Sequence, residues 1–417
     1  MSEKKVKNKK ILIITTTIII IIIITTSIIC NLYSKYTKEQ EINQIKSYYN
    51  DSVVTNQKTN LYTLKNNKFI KSGKIAKDVF LTLDKHNSNY EEGYFKILNT
   101  ENDYYIYYEN VDKTEEEIIY DERYKNYIPF NKNIITKESF SLYDDNGILK
   151  YTLNYSKTFE VIVNNNNFYG IVFDSQLLYI KNEDILEIVD SSNTKLINTK
   201  GIAVLNYHFV YNDKVDICDQ TICHTETQFK SHLEYIKNNN IFTPTLKELE
   251  MYIDGYIQLP KSVVITIDDG WHSLEAATLL NQYQLNGTVF LITSGYDPKT
   301  IESEYVEVHS HTHNMHKARE CPTGQGGGIQ CLSEEYIQED LRKSREKLNN
   351  TTYFCYPFYE YNSYSISQLK KAGFTMAFAG KNANNQLKAA PGIDKYQIPR
   401  YVISNKTTDI HIKNFIG

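Results

Sequence analysis

The sequence predicts an α/β domain built on a parallel sheet, preceded by an all-β region and an apolar N-terminal helix. Three observations predict it. From Gly201 onward, β-branched apolar runs alternate with stretches of helical periodicity, as strands wound with helices do. Between residues 69 and 190, short period-two segments are divided by turn residues such as Asn146-Gly147, which is an all-β signal. Residues 11–30 carry no charge and are mostly Ile and Thr.

A chain of 417 residues is long enough for two or three domains. Its 46 basic and 50 acidic residues leave a net charge of −4, with no basic patch or motif of the nucleic-acid-binding kind. The 35 tyrosines are scattered, often in strand-like runs such as Tyr104-Tyr105-Ile106-Tyr107-Tyr108, and are read as strand material rather than a sugar-binding surface. Of six cysteines, Cys30 lies in the apolar run and Cys355 in an expected buried strand. Cys218 with Cys223 and Cys321 with Cys331 fall as close pairs in polar loops. Neither has the Cys-x-x-Cys spacing of a zinc knuckle, so two short disulfide loops are expected.

Residues 1–10 form a basic tail with Lys4, Lys5, Lys7, Lys9 and Lys10. Residues 11–32 are read as a transmembrane signal anchor, since about twenty apolar residues at 1.5 Å each cross a core of roughly 30 Å. The lysines favour a cytoplasmic N-terminus, which predicts a single-pass protein of the cell membrane with everything downstream extracellular. A cleaved signal peptide is the rival, but no small-x-small site follows. Residues 33–65 are polar and read as a stalk. Residues 66–130 and 131–195 are taken as two β-rich modules, because residues 103–111 and 176–184 sit at comparable places. In pattern alone the pair resembles bacterial SH3-like modules, and a spacer is the expected role. Residues 200–417 make the last domain.

That domain turns on Val263-Val264-Ile265-Thr266-Ile267-Asp268-Asp269-Gly270-Trp271. A buried apolar strand ends there in two carboxylates and a glycine. Side chains alternate along a strand, so both acids share a site only if the chain bends, and Gly270 is expected to supply the bend. Two close carboxylates repel, which a cation between them relieves. Alone, Asp-Asp-Gly reads as a strand-ending turn. About forty residues on, His309-Ser310-His311-Thr312-His313-Asn314-Met315-His316 places four histidines in eight positions, and the pair of features points to a metal site.

Residues 201–404 resemble the polysaccharide deacetylase family, carbohydrate esterase family 4. Thr266-Ile267-Asp268-Asp269-Gly270 is similar to its first motif, which implies Asp268 as base and Asp269 as metal ligand. Ser310-His311-Thr312-His313-Asn314-Met315-His316 is similar to the second motif in its longer-spaced form, which implies His311 and His316 as ligands. That spacing is found in the branch acting on exported poly-N-acetylglucosamine and in related Gram-positive proteins. Cys355-Tyr356-Pro357-Phe358 resembles the third motif, which implies Tyr356 and Pro357 as groove wall; Trp271 is a further candidate substrate contact. Val204-Leu205-Asn206-Tyr207-His208 resembles the opening strand of the same branch. The resemblance implies a distorted (β/α) barrel. It also implies a divalent ion, zinc foremost, with cobalt, nickel and manganese as alternatives.

The sequence departs from the family at three places. Tyr359 stands where the third motif usually has glycine. The arginine before that motif is absent, and Arg400, on the last strand, is expected to orient Asp268 instead. The usual C-terminal Leu-x-x-His is not recognisable, so His208, at a strand end, is preferred to His411 as general acid. His309 and His313 share strand parity with His311 and either line the site or face solvent.

One carboxylate and two neutral imidazoles leave open positions on an ion, as catalysis requires. The expected function is therefore a membrane-anchored, metal-dependent hydrolase removing N-acetyl groups from a cell-surface or cell-wall glycan, either an N-acetylglucosamine polysaccharide or peptidoglycan. A catalytically impaired glycan-binding protein of the wall and an O-deacetylase on the same fold are the alternatives. Oligomeric state is left open.

Overall fold

The computed structural model describes residues 2–98, 102–116, 121–165, 167–192, 198 and 200–417. One continuous helix, Ser2–Tyr48, opens the chain. Its stretch Thr15–Tyr48 is long and apolar enough to cross a membrane, and its isoleucines from Ile18 to Ile24 are all exposed. The chain otherwise divides into two compact units. The first comprises residues 1–122, 134–159 and 171–187; the second comprises 123–133, 160–170 and 188–417.

In the first unit antiparallel strands follow one another in a single ladder. Their spatial order is Gln176–Lys181, Phe140–Tyr143, Leu149–Leu153, Lys68–Ile75, Thr59–Lys65, Tyr104–Tyr107, Tyr94–Ile97, Phe80–Asn89, Ser52–Thr55, Val111–Lys113. Alternate residues fill its core, among them Val53, Leu61, Phe95, Ile106 and Leu142. Two differences from the sequence reading appear. Strand structure begins at Ser52, inside the interval read as stalk, because Val53 and Leu61 find buried places. The ladder also runs across the boundary expected at residue 130, through the pairing of Tyr151 with Ile75. The two stretches noted as comparable take the same local form. Tyr104–Tyr107 and Gln176–Lys181 are each followed by a 3-10 turn and a further strand.

The second unit is the α/β domain. Its strands are β1 (Ala203–Tyr207), β2 (Val263–Asp269), β3 (Gly287–Leu291), β4 (Val306–Ser310), β5 (Tyr353–Cys355), β6 (Met376–Phe378) and β7 (Tyr401–Val402). All pair in parallel, in the order β6-β5-β4-β3-β2-β1-β7. The sheet curls until its edges share one segment. Ile398 bridges to Phe378 on β6, and Tyr401 pairs with Leu205 on β1. Strand ends of one polarity are thereby gathered around a single mouth.

Helices α1 (Glu226–Asn238), α2 (Leu246–Ile253), α3 (Ser273–Tyr283), α4 (Glu334–Lys347), α5 (Ser363–Lys371) and α6 (Asp409–Ile416) cover the sheet. Thr225 caps α1 and Ser333 caps α4, each accepting the backbone N–H three residues on. Helix α1 turns Phe229, Leu233 and Ile236 inward, one face at helical spacing against β1 and β2. Both close cysteine pairs are disulfide-bonded, with Cα–Cα distances of 6.1 Å for Cys218–Cys223 and 5.8 Å for Cys321–Cys331.

Candidate active site

The strand β2 delivers the first acids. Asp268 is still extended and points into the curled sheet, fully buried. The bend begins one residue earlier than expected, because Asp269 itself takes a left-handed φ of 77°. Gly270 continues it at φ 110°, where a Cβ would meet Leu291 at 2.6 Å and Tyr296 at 2.8 Å. Only with both residues turned can adjacent side chains on a strand enter one site.

Arg400 reaches Asp268 from the segment that closes the sheet. Its Nη1 and Nη2 donate to Asp268 Oδ1 and Oδ2 at 2.8 Å each, a two-pronged pair wholly out of water. Nε donates to the Ala379 carbonyl at 2.9 Å, and Nη2 lies 3.0 Å from Cys355 Sγ. Burial pushes the Asp268 carboxyl up, but the Arg400 guanidinium, aided by His311, outweighs it and holds the group well below the usual carboxylate range. Asp268 is therefore an ionised, rigidly aimed carboxylate.

The histidine loop leaves the end of β4. His311 Nδ1 donates to the Cys355 carbonyl at 2.9 Å, which leaves Nε2 as the bare nitrogen. That Nε2 lies 3.3 Å from Asp269 Oδ1, and His316 Nε2 lies 3.4 Å from the same oxygen. Burial, with His311 adding to it, pushes the His316 ring down to about 4, so it is neutral. Asp269 Oδ1 is buried and hydrogen-bonded to nothing. A carboxylate oxygen and two imidazole nitrogens facing one another at such distances call for positive charge among them, a proton or a metal cation. The donor set of one carboxylate and two imidazoles fits a zinc-like divalent ion with positions to spare.

Helix α4 holds this loop. Asp340 accepts the N–H groups of His313 and Asn314, both at 2.7 Å, and Ser344, one turn on, meets Ser310 Oγ at 2.8 Å. Thr312 between them takes φ 77°. Neither residue was singled out by sequence. The only trace there is their i, i+4 spacing on a helix that otherwise reads as amphipathic.

His208 stands just past β1, buried, beside the two acids; burial lowers its ring and Asp268 and Asp269 oppose that. Trp271 is 44 % exposed at the rim, edge-on to Phe209 at 4.8 Å. Tyr356 corrects the sequence reading. It is fully buried, stacked on Tyr361 at 4.9 Å, and its hydroxyl donates to the Tyr396 carbonyl at 3.1 Å. Cys355 points into the site, so its neighbour on the strand must point away. Pro357 is buried too, and the ring at the rim is that of Phe358, 4.5 Å from His316. His309 and His313 lie outside the ligand set, bonded to Thr351 at 2.7 Å and Thr293 at 3.0 Å. His411 accepts the Thr408 N–H at 3.1 Å and caps α6.

An arginine-held carboxylate, a buried histidine and a three-donor cluster, all at strand ends of a curled parallel sheet, make a hydrolytic site with room for a divalent ion. Residues 257–377 match the family described as polysaccharide deacetylase. It is 26% identical over 261 residues to a poly-beta-1,6-N-acetyl-D-glucosamine N-deacetylase of Staphylococcus epidermidis, covering 55% of this chain and 88% of that one. It is 25% identical over 238 residues to the Staphylococcus aureus protein of the same name, covering 51% and 78%. Among solved structures, IcaB from Ammonifex degensii superposes with a TM-score of 0.44 at 22% identity, covering 52% of this chain and 97% of that one.

Proposed function

We propose that this protein is a metal-dependent N-deacetylase of an N-acetylglucosamine polymer outside the cell, tethered by its N-terminal helix. One observation carries the reading: Asp269 Oδ1 lies within 3.4 Å of Nε2 of both His311 and His316, beside Asp268. The staphylococcal relatives, named for poly-N-acetylglucosamine, support that polymer as substrate, and the chain's apolar helix supports a membrane location.

Asp269, His311 and His316 would hold the ion, zinc foremost. When bound, it supplies Lewis acidity toward the acetamide carbonyl and a water. The chain's own groups do the rest. Asp268, ionised and aimed by Arg400, takes a proton from the attacking water. His208, buried near both acids, gives a proton to the departing sugar amine. Trp271 at the rim offers a ring face to a sugar. Acetate and a free amine result.

Acetate release from acetylated glucosamine oligomers and from peptidoglycan tests this, with chelator, re-added metal, and Asp268→Asn. Release that needs metal and falls about 10²–10⁴-fold in the variant supports it. Metal bound with nothing released from any substrate would make the domain a glycan-binding protein. Release from O-acetyl esters alone would make it an O-deacetylase.

A further inference from the structure

The turn after β5 carries a residue that the reaction above leaves unused. Phe358 and Tyr359 both take left-handed backbone, φ 56° and 64°, conformations that bulky residues rarely adopt. Such strain persists where the surroundings impose it, and it gathers at functional sites. The Tyr359 ring lies over the Arg400 guanidinium, 5.4 Å from its centroid. Gly380 makes room for it: a Cβ there would come within 2.9 Å of Tyr359 Cβ.

The hydroxyl has a defined task. Tyr359 OH lies 2.7 Å from Asn206 Oδ1 and 3.3 Å from His208 Nε2. Asn206 Nδ2 donates to the Tyr207 carbonyl at 3.1 Å, so Oδ1 is the end that faces Tyr359. The phenol has one proton, and Asn206 receives it. The contact with His208 must then run the other way, with Nε2–H donating to the phenol oxygen. His208 Nδ1 is left bare and buried, with no hydrogen-bond partner among the described residues.

We propose that Tyr359 is a positioning residue: by receiving His208 Nε2–H it fixes the ring in the tautomer whose Nδ1 is free to carry the proton given to the amine. The tyrosine in place of glycine is thus part of the acid's support rather than an obstruction of the groove. The catalytic consequence rests on the N-deacetylase reading; the tautomer does not.

Two measurements on the full chain in detergent test it. Steady-state acetate release is followed against pH for wild type, Tyr359→Phe and Tyr359→Gly. The ring-nitrogen shifts of His208 are read by long-range ¹⁵N NMR, with its signal assigned through His208→Asn. The charged and titratable groups around His208 are Asp268, Asp269, Arg400, His311 and His224, all retained in these variants. We expect Tyr359→Phe to lower kcat about tenfold with KM changed by less than about twofold. Losing the acceptor of Nε2–H weakens the imidazolium, so the basic limb of kcat moves to lower pH. The His208 shifts should change from a pure Nε2–H tautomer to a mixture. A raised KM with unchanged kcat and unchanged limb would mean a groove wall only and would overturn the proposal. If wild type releases no acetate, the deacetylase reading falls by itself, and the NMR still decides. A His208 that stays purely Nε2–H in both variants overturns the assignment of Tyr359.

Discussion

His309 on β4 and His311 just past its end sit two residues apart at the same parity, yet they belong to different chemistry. At the lower rung His309 Nδ1 meets Thr351 Oγ1 at 2.7 Å, and Glu307 beside it accepts the Leu246 N–H at 2.9 Å. His309 Nε2 lies 3.9 Å from Glu307 Oε2 and faces that one carboxylate, with no second imidazole beside it. At the upper rung His311 spends Nδ1 on a carbonyl and points Nε2 at Asp269 Oδ1, which His316 Nε2 approaches as well. The same residue type on the same face is structural when its neighbours complement it and functional when they share its lone pairs. Residue identity and spacing are alike in the two rungs, so the neighbours carry the distinction.

The largest effect should come from exchanging the rungs. His311→Ala is expected to abolish both retained metal, by elemental analysis, and acetate release, while His309→Ala keeps the metal and activity within a few-fold. Equal losses would erase the distinction. Next is Arg400→Met, which strands a buried carboxylate without its partner. It should lower unfolding stability by about 3–5 kcal/mol in denaturant titrations and remove activity. Pairing it with Asp268→Asn should recover part of the stability and none of the activity. A smaller effect is expected of Asp340→Asn, which keeps one acceptor for two loop N–H groups. Metal affinity, read by competition with a chelating dye, should weaken about 10–100-fold with the fold intact. An unchanged affinity would show that the loop holds its shape unaided.

The smallest effect is thermodynamic. Burial pushes His224 and His316 down to about 4 in the folded chain, below the unfolded value near 6.5. The unfolded state therefore binds more protons in between, so the metal-free protein should lose stability as pH falls from about 6.5 toward 4. Asp268, depressed in the folded state, adds a further loss only below about 4. His316→Gln should remove about one proton from the slope of the first window. A slope identical to wild type would place that ring in water.

Much of this was written locally. The strands of the sheet are buried apolar runs, and the helices with capped starts at Thr225, Ser333 and Asn362 announce themselves. Asp268, Asp269, His311 and His316 were singled out through their resemblance to family motifs and Arg400 by its place on the last strand, and the fold brings these five side chains together. What escaped depends on packing. Helix α3 lacks a side-chain cap, since His272 ahead of it is left-handed and bonds Glu275 instead. Tyr356 was misread because its strand's inward parity belongs to Cys355. Asp340 and Ser344 touch the site only through a tertiary contact that no local pattern records.

Arg400 follows Asp268 by 132 residues, on the one segment that joins both edges of the sheet. A ribosome delivers the carboxylate long before its counter-charge. Until that late segment docks, the acid has neither its aim nor its neutralising partner, and the ring of strands has a gap. Competence therefore arrives in one step with closure of the fold. A chain that ends before Arg400 lacks the guanidinium that aims Asp268.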